Sequence, residues 1–204
     1  MVGTLADKAE PLVKARFCQE WLALVAKEEE THRGRFFARL PRETREQIES
    51  ASRTAWLPLG VHVKLADILL DAFGVAGAHG YYRRAFASAL QGPILMPLVL
   101  TGAKLFGLSP ASFARWASRG YDASYKNAGS LVGTVLGPGR ARLVFSDLPP
   151  VCIASEAWLR SSQGSAYGAY DVLRIDGVVR IDLHDRALGR VVLDMEWSEK
   201  GSPT

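Results

Sequence analysis

The amino-acid sequence predicts an α+β fold, with a helical layer packed on an antiparallel sheet of about four to five strands and one helix inserted between two strand pairs. Three observations predict it. First, the C-terminal quarter alternates in polarity with period two. Val179, Ile181 and Leu183 oppose Arg180, Asp182 and His184; beyond residues 186–189, Val191, Leu193, Met195 and Trp197 oppose Asp194 and Glu196. Strand side chains alternate between faces, so this is a hairpin with one buried and one wet face. Second, Gly137-Pro138-Gly139 is a turn signal between two further apolar runs, 130–136 and 140–145. Third, apolar residues recur at helical spacing through most of the preceding chain.

Taken in order, residues 11–17 read as a short strand or as the first turn of the helix that follows. In 18–30, Trp21, Leu22, Leu24 and Val25 form an apolar stripe. The acidic run Glu28 to Glu30 opposes the helix dipole and should fray that end. Residues 42–53 form a polar-faced helix after Pro41, anchored by Ile48. Pro58-Leu59-Gly60 punctuates, and 61–73 is strongly helical through Val61, Leu65, Ile68, Leu69 and Phe73, with Gly74 as its stop. Gly74, Gly77 and Gly80 then surround His79 in a turn before a helix over 81–90. A helix over 94–106 follows. Ser109-Pro110 is a start signal, with Ser as N-cap and Pro at the first position, for a helix running to Gly120. Pro149-Pro150 breaks the chain, 153–162 is the inserted helix, and Gly164 and Gly168 loosen its end. Strands over 172–184 and 190–197 close the sheet. The domain reading is an N-terminal extension over 1–11, one α+β domain over 12–197 and a polar tail over 198–204.

Composition narrows the function classes. The 204 residues are 48% hydrophobic and 23% charged, which is ordinary for a globular domain and argues against long disorder. The net charge of +4 is spread among acids, as in Pro41-Arg42-Glu43-Thr44-Arg45-Glu46, rather than gathered in a stripe, so nucleic acid is not an expected partner. Cys18 and Cys152 are far apart and beside apolar residues; they read as buried free thiols of a cytoplasmic protein, not a zinc site. Residues 85–103 carry no charge, but Gly92, Pro93 and Pro97 break the run, and buried helices are expected there instead of a membrane span. A peripheral membrane contact stays open.

Sequence motifs for chemistry are lacking. Gly133-x-x-x-Gly137-x-Gly139 has no following Lys-Ser/Thr and is a hairpin turn, not a phosphate loop. There is no Gly-x-Ser-x-Gly elbow. Of four histidines, His62 near a helix start and His184 on a polar strand face read as solvated; His79 among glycines is the one a turn can present to a cavity. Asp182, Asp194 and Glu196 read as members of cross-strand salt pairs. Trp56, Tyr81, Tyr82, Phe86, Phe106, Phe113, Trp116 and Tyr121 form an aromatic set that either fills a core or lines an apolar pocket.

Leu40-Pro41, Trp56-Leu57-Pro58-Leu59, Tyr81-Tyr82-Arg83-Arg84, Leu105-Phe106-Gly107-Leu108-Ser109-Pro110 and Leu193-Asp194-Met195-Glu196-Trp197, in that order, resemble a group of uncharacterised bacterial proteins. These in turn resemble the 4-vinyl reductase, haem–nitric-oxide-binding and TRAPP-subunit superfamily. The resemblance implies a helical layer on an antiparallel sheet, and a small-molecule sensor or dimeric assembly module. It also shows departures. The final hairpin has no cysteine, and neither Tyr121-Asp122-Ala123-Ser124 nor Tyr125-Lys126-Asn127 fits the Tyr-x-Ser-x-Arg motif of the haem-binding branch. On that ground haem is disfavoured, with His79 and His62 the residues left open as its ligand, and no cofactor or metal is expected.

The expected function is a non-enzymatic sensor or adaptor that binds a hydrophobic small molecule between helices and sheet. Trp56, His79, Tyr81, Trp116 and Tyr121 would wall the pocket, and Arg83 or Arg84 would hold an acidic headgroup. The alternatives are a ligand-free homodimeric scaffold that binds protein partners, and a small hydrolase or reductase that uses His79.

Overall fold

A computed structural model describes residues 9–90, 96, 101 and 109–198. The chain begins with β1 (Leu12–Lys14), which runs directly into α1 (Ala15–Val25), so both expectations for this segment meet in one place. As expected from the dipole, α1 stops before the acidic run. Next come α2 (Glu30–Arg39), α3 (Arg42–Ser50), β2 (Trp56–Pro58) and α4 (Leu59–Leu90). In α3, Ile48 is fully buried, as its place on a polar helix predicts.

Gly74 does not end α4 but kinks it. Its φ of 67° and ψ of 175° interrupt the helix, which resumes through Gly77, His79 and Gly80. A positive φ is open to glycine without a Cβ penalty, and the break re-aims the second half of the helix. His79 is therefore a helical residue, not a turn residue. Of the helix expected over 94–106, all but Met96 and Thr101 lie outside the described residues.

After these come α5 (Pro110–Ser124), β3 (Tyr125–Lys126), β4 (Ser130–Gly137) and β5 (Arg140–Ser146). The Ser109 hydroxyl caps α5 by accepting from the Ser112 amide, as the sequence predicts. Two helices, α6 (Pro150–Ala154) and α7 (Glu156–Leu173), precede β6 (Gly177–Asp185) and β7 (Arg190–Trp197). The strands form a three-stranded sheet, β2-β1-β3, and a four-stranded antiparallel sheet, β4-β5-β7-β6.

The inner face of the larger sheet carries Leu143, Phe145, Val179, Val191, Leu193 and Met195, all buried. The simple alternation fails on β6. A bulge between Ile181 and Leu183 pairs Leu183 with Val192 on the outer face and turns His184 inward, where its Nε2 lies 2.9 Å from the Ile153 carbonyl. The outer face holds the expected salt pairs: Arg142 with Asp194 and Asp182, and Arg180 with Glu196.

Gly164 and Gly168 do not loosen α7; they close it onto α4. A Cβ at Gly164 would lie 2.7 Å from the Tyr82 Cβ, and one at Gly168 would lie 2.7 Å from the Arg83 carbonyl oxygen. Spaced four apart, they let the two helix backbones approach more closely than larger residues allow.

Candidate functional site

Between this helical layer and the sheet lies a cavity of about 230 Å³. Phe17 and Trp21 of α1 and His62, Tyr82, Ala85 and Phe86 of α4 form one side. Phe113, Trp116, Ala117 and Tyr121 of α5 form another; Tyr125, Leu131, Leu143 and Phe145 close it from the strands, and Trp158, Ser161, Ala166 and Ala169 from α7. The aromatic rings brace one another edge to face, with centroids 5.6 Å apart for Phe86–Phe113 and 5.7 Å for Phe145–Trp158. No Asp, Glu, Lys or Arg is among the described lining residues.

Most polar groups in the wall are already engaged. The Tyr82 hydroxyl donates to the Ala66 carbonyl and that of Tyr121 to the Ala128 carbonyl. Ser124, Ser161 and Ser162 donate to helix carbonyls of Gly120 and Trp158. His62 differs. It is 4% exposed, and its Nδ1 is buried with no hydrogen-bond partner. Burial alone lowers its pKa from 6.5 to about 4, so the imidazole is neutral at pH 7. Trp21 packs against it at 4.4 Å and Tyr125 at 6.1 Å between ring centroids. The expectation of a solvated His62 is thereby corrected. It heads the row His62, Leu65, Ala66, Leu69, Ala72, all buried, whose spacing marks one face of α4.

Of the seven residues singled out in the sequence, Trp116 and Tyr121 line the cavity together. Tyr81 sits behind the wall, fully buried, donating to the Trp21 carbonyl at 2.5 Å. Trp56 lies on the small sheet, with the Lys14 and Lys126 ammonium groups 3.8 and 4.6 Å from its ring centroid. His79 stands against Tyr167 at 5.0 Å. Arg83 makes a two-point bond to Asp171 at 2.8 and 2.5 Å, and Arg84 pairs with Glu28 at 2.6 Å. Neither arginine is in the cavity wall. Asp171, the acid nearest in influence to His79, is held by Arg83, whose hydrogen bond keeps its carboxyl below the usual carboxylate range. Pattern reading passed over Trp21, Trp158 and Tyr125, because their convergence depends on chain-distant packing.

No group of three or more His, Cys, Asp or Glu that could hold a metal ion occurs among the described residues. Cys18 and Cys152 are free and buried, and burial pushes both thiols up to about 12. No described helix is long and apolar enough to cross a membrane.

No protein-family model matches the sequence, and no curated protein matches it. Solved structures do match in fold. An H-NOX protein from K. algicida in the unliganded Fe(II) state aligns with a TM-score of 0.61 at 9% identity, over 94% of this chain and 100% of that one. An H-NOX protein from S. oneidensis in the Fe(II)NO state aligns at 0.59 and 11% identity, over 91% and 99%. An oxygen-binding H-NOX domain related to soluble guanylate cyclases aligns at 0.56 and 7%, over 94% and 98%. At these identities the likeness is one of fold. It corrects the expectation that haem is disfavoured. That expectation rested on a missing short motif, whereas the fold is shared with a family described by its heme distortion. What the chain shares over more than nine-tenths of its length is the H-NOX fold.

Proposed function

We propose that this chain is a sensor-type domain that holds a small, largely apolar molecule in the cavity between its helices and sheet. One observation carries the reading: a cavity walled by aromatic rings, free of charge among its described residues, that contains a buried imidazole with an unpartnered nitrogen.

The fold neighbours make haem the first occupant to test. The residues fit it in the donor: His62 is a neutral imidazole in apolar surroundings, the kind of group that holds haem iron. His62 would hold it, and Trp21, Trp116 and Tyr121 would cover it. When bound, haem supplies an iron site for a diatomic gas. The cavity volume of about 230 Å³ is below the roughly 300–1,000 Å³ usual for small-molecule sites and suits a ligand smaller than haem.

The test is a titration of purified protein with haemin, read by visible absorption, beside thermal melts across a panel of apolar metabolites. A saturable spectral change or a raised melting temperature with one of them is the expected result. No change with any would refute the proposal. A second reading, a protein-interaction scaffold, draws on Val132 and Leu183, 55% and 39% exposed at the two ends of an apolar row on the outer sheet face whose inner members, Val144 and Val192, are half-buried and buried.

A further inference from the structure

One end of the cavity carries two polar groups from different elements that lack partners. His62 projects from α4 and Tyr125 from β3, with ring centroids 6.1 Å apart, and both line the cavity. Apart from the unsatisfied Nδ1, His62 makes no hydrogen bond among the described residues, and neither does the Tyr125 hydroxyl. Tyr125 is only partly buried by surface area, yet desolvation dominates its environment and raises its phenol pKa. The surface it presents is part of the cavity lining. At pH 7 neither group is charged.

We infer that His62 and Tyr125 form the polar end of the site and select an uncharged ligand bearing one hydroxyl on an apolar, aromatic-sized body. The inference rests on the ligand-binding reading above and names the class of ligand. A neutral imidazole offers one donor and one acceptor, and a phenol offers both roles on one oxygen. A ligand hydroxyl also donates and accepts, so it complements the pair whichever ring nitrogen carries the proton. A carboxylate would meet no cation in the described wall and would pay its full desolvation. A bare hydrocarbon would leave both groups unsatisfied. Of the other hydroxyls in the wall, those of Tyr82, Tyr121, Ser124, Ser161 and Ser162 already spend their proton on backbone carbonyls and those of Ser109 and Ser112 pair with each other, while Ser165 of α7 also lines the cavity.

The test uses the full chain and four probes in equilibrium dialysis: 2-naphthol, naphthalene, 2-naphthoate and haemin. Wild type should bind 2-naphthol roughly tenfold more tightly than naphthalene, about the worth of one well-made hydrogen bond, and should exclude 2-naphthoate. Tyr125→Phe and His62→Leu should each bring the ratio of naphthol to naphthalene affinity toward one. Should His62→Leu fail to fold, Tyr125→Phe decides alone. Equal binding of naphthol and naphthalene would overturn the inference yet leave the cavity reading standing. So would a preference for naphthoate, or a haemin spectrum altered by His62→Leu, which would place iron where the hydroxyl is assigned. Binding of none of the four would overturn the inference and count against the cavity reading as well.

Discussion

The two sides of α4 are packed in opposite ways. Toward α7 the seam is closed: Gly164 and Gly168 bring backbone against Tyr82 and Arg83, with no room for even a methyl group. Toward α1, α5 and the sheet the same helix leaves an open volume and keeps an unpartnered imidazole in its wall. Interiors are normally packed at crystal-like density, and voids cost stability. A chain that closes one face of a helix so tightly has the means to close the other. The contrast teaches that the void is a feature of the sequence's choices of Ala85, Ala117, Ala166 and Ala169 in the wall, where larger residues would fill it.

The largest effect should come from extending the closed packing to a place that has no slack. A Cβ at Gly133 of β4 would collide with the Ala114 backbone carbonyl of α5. Gly133→Ala should cost about 3 kcal/mol or leave the chain unfolded, seen in a urea melt. A wild-type midpoint would mean that α5 is not seated on β4 as described.

Acid should break the open side first. His62 has a folded pKa of about 4 against 6.5 when unfolded. The unfolded chain then binds more protons between these values, so the contribution is complete above pH 6.5 and is lost as pH falls toward 4. The loss amounts to roughly 3 kcal/mol at most. His62→Phe should flatten the melting profile between pH 6.5 and 4, whereas an unchanged slope would show that His62 is not buried in neutral form.

Gly168→Ala tests the closed seam and should cost roughly 1–3 kcal/mol in a thermal or urea melt. Smallest is the Arg83–Asp171 pair. Both side chains are more than a third exposed, at 36% and 40%, so solvent screens the pair and Asp171→Asn should change stability by no more than about 1 kcal/mol. A larger loss would make this pair a clamp on the α4–α7 seam.

How much of this was legible in the sequence differs by element. Val191, Leu193 and Met195 on β7 are fully buried, as strict alternation requires. Their neighbour β6 escaped the same rule because one bulged residue reverses every face beyond it. Helix α2 was not anticipated: Phe36 is its only buried residue, and one anchor makes no period. Glycines misled twice, since Gly74 and Gly168 look like breakers to local reasoning, while in the fold one kinks a helix and the other admits its neighbour. In the site, Trp116 and Tyr121 came from a helical aromatic stripe. His62 stands in an equally clear i, i+3, i+4, i+7 row, but its place near a helix start reads as solvated. Trp21, Tyr125 and Trp158 meet only through contacts between distant segments, which no window of sequence contains.

The most direct measurement is native mass spectrometry of the chain purified from its own host, with Ala117→Leu as the control that fills the cavity. A bound small-molecule mass on the wild type, lost in Ala117→Leu at an unchanged or slightly raised melting temperature, is the predicted result. A bare chain mass for both proteins, with neither haemin nor any apolar probe shifting the wild-type melt, would contradict the claim that the void is a binding site.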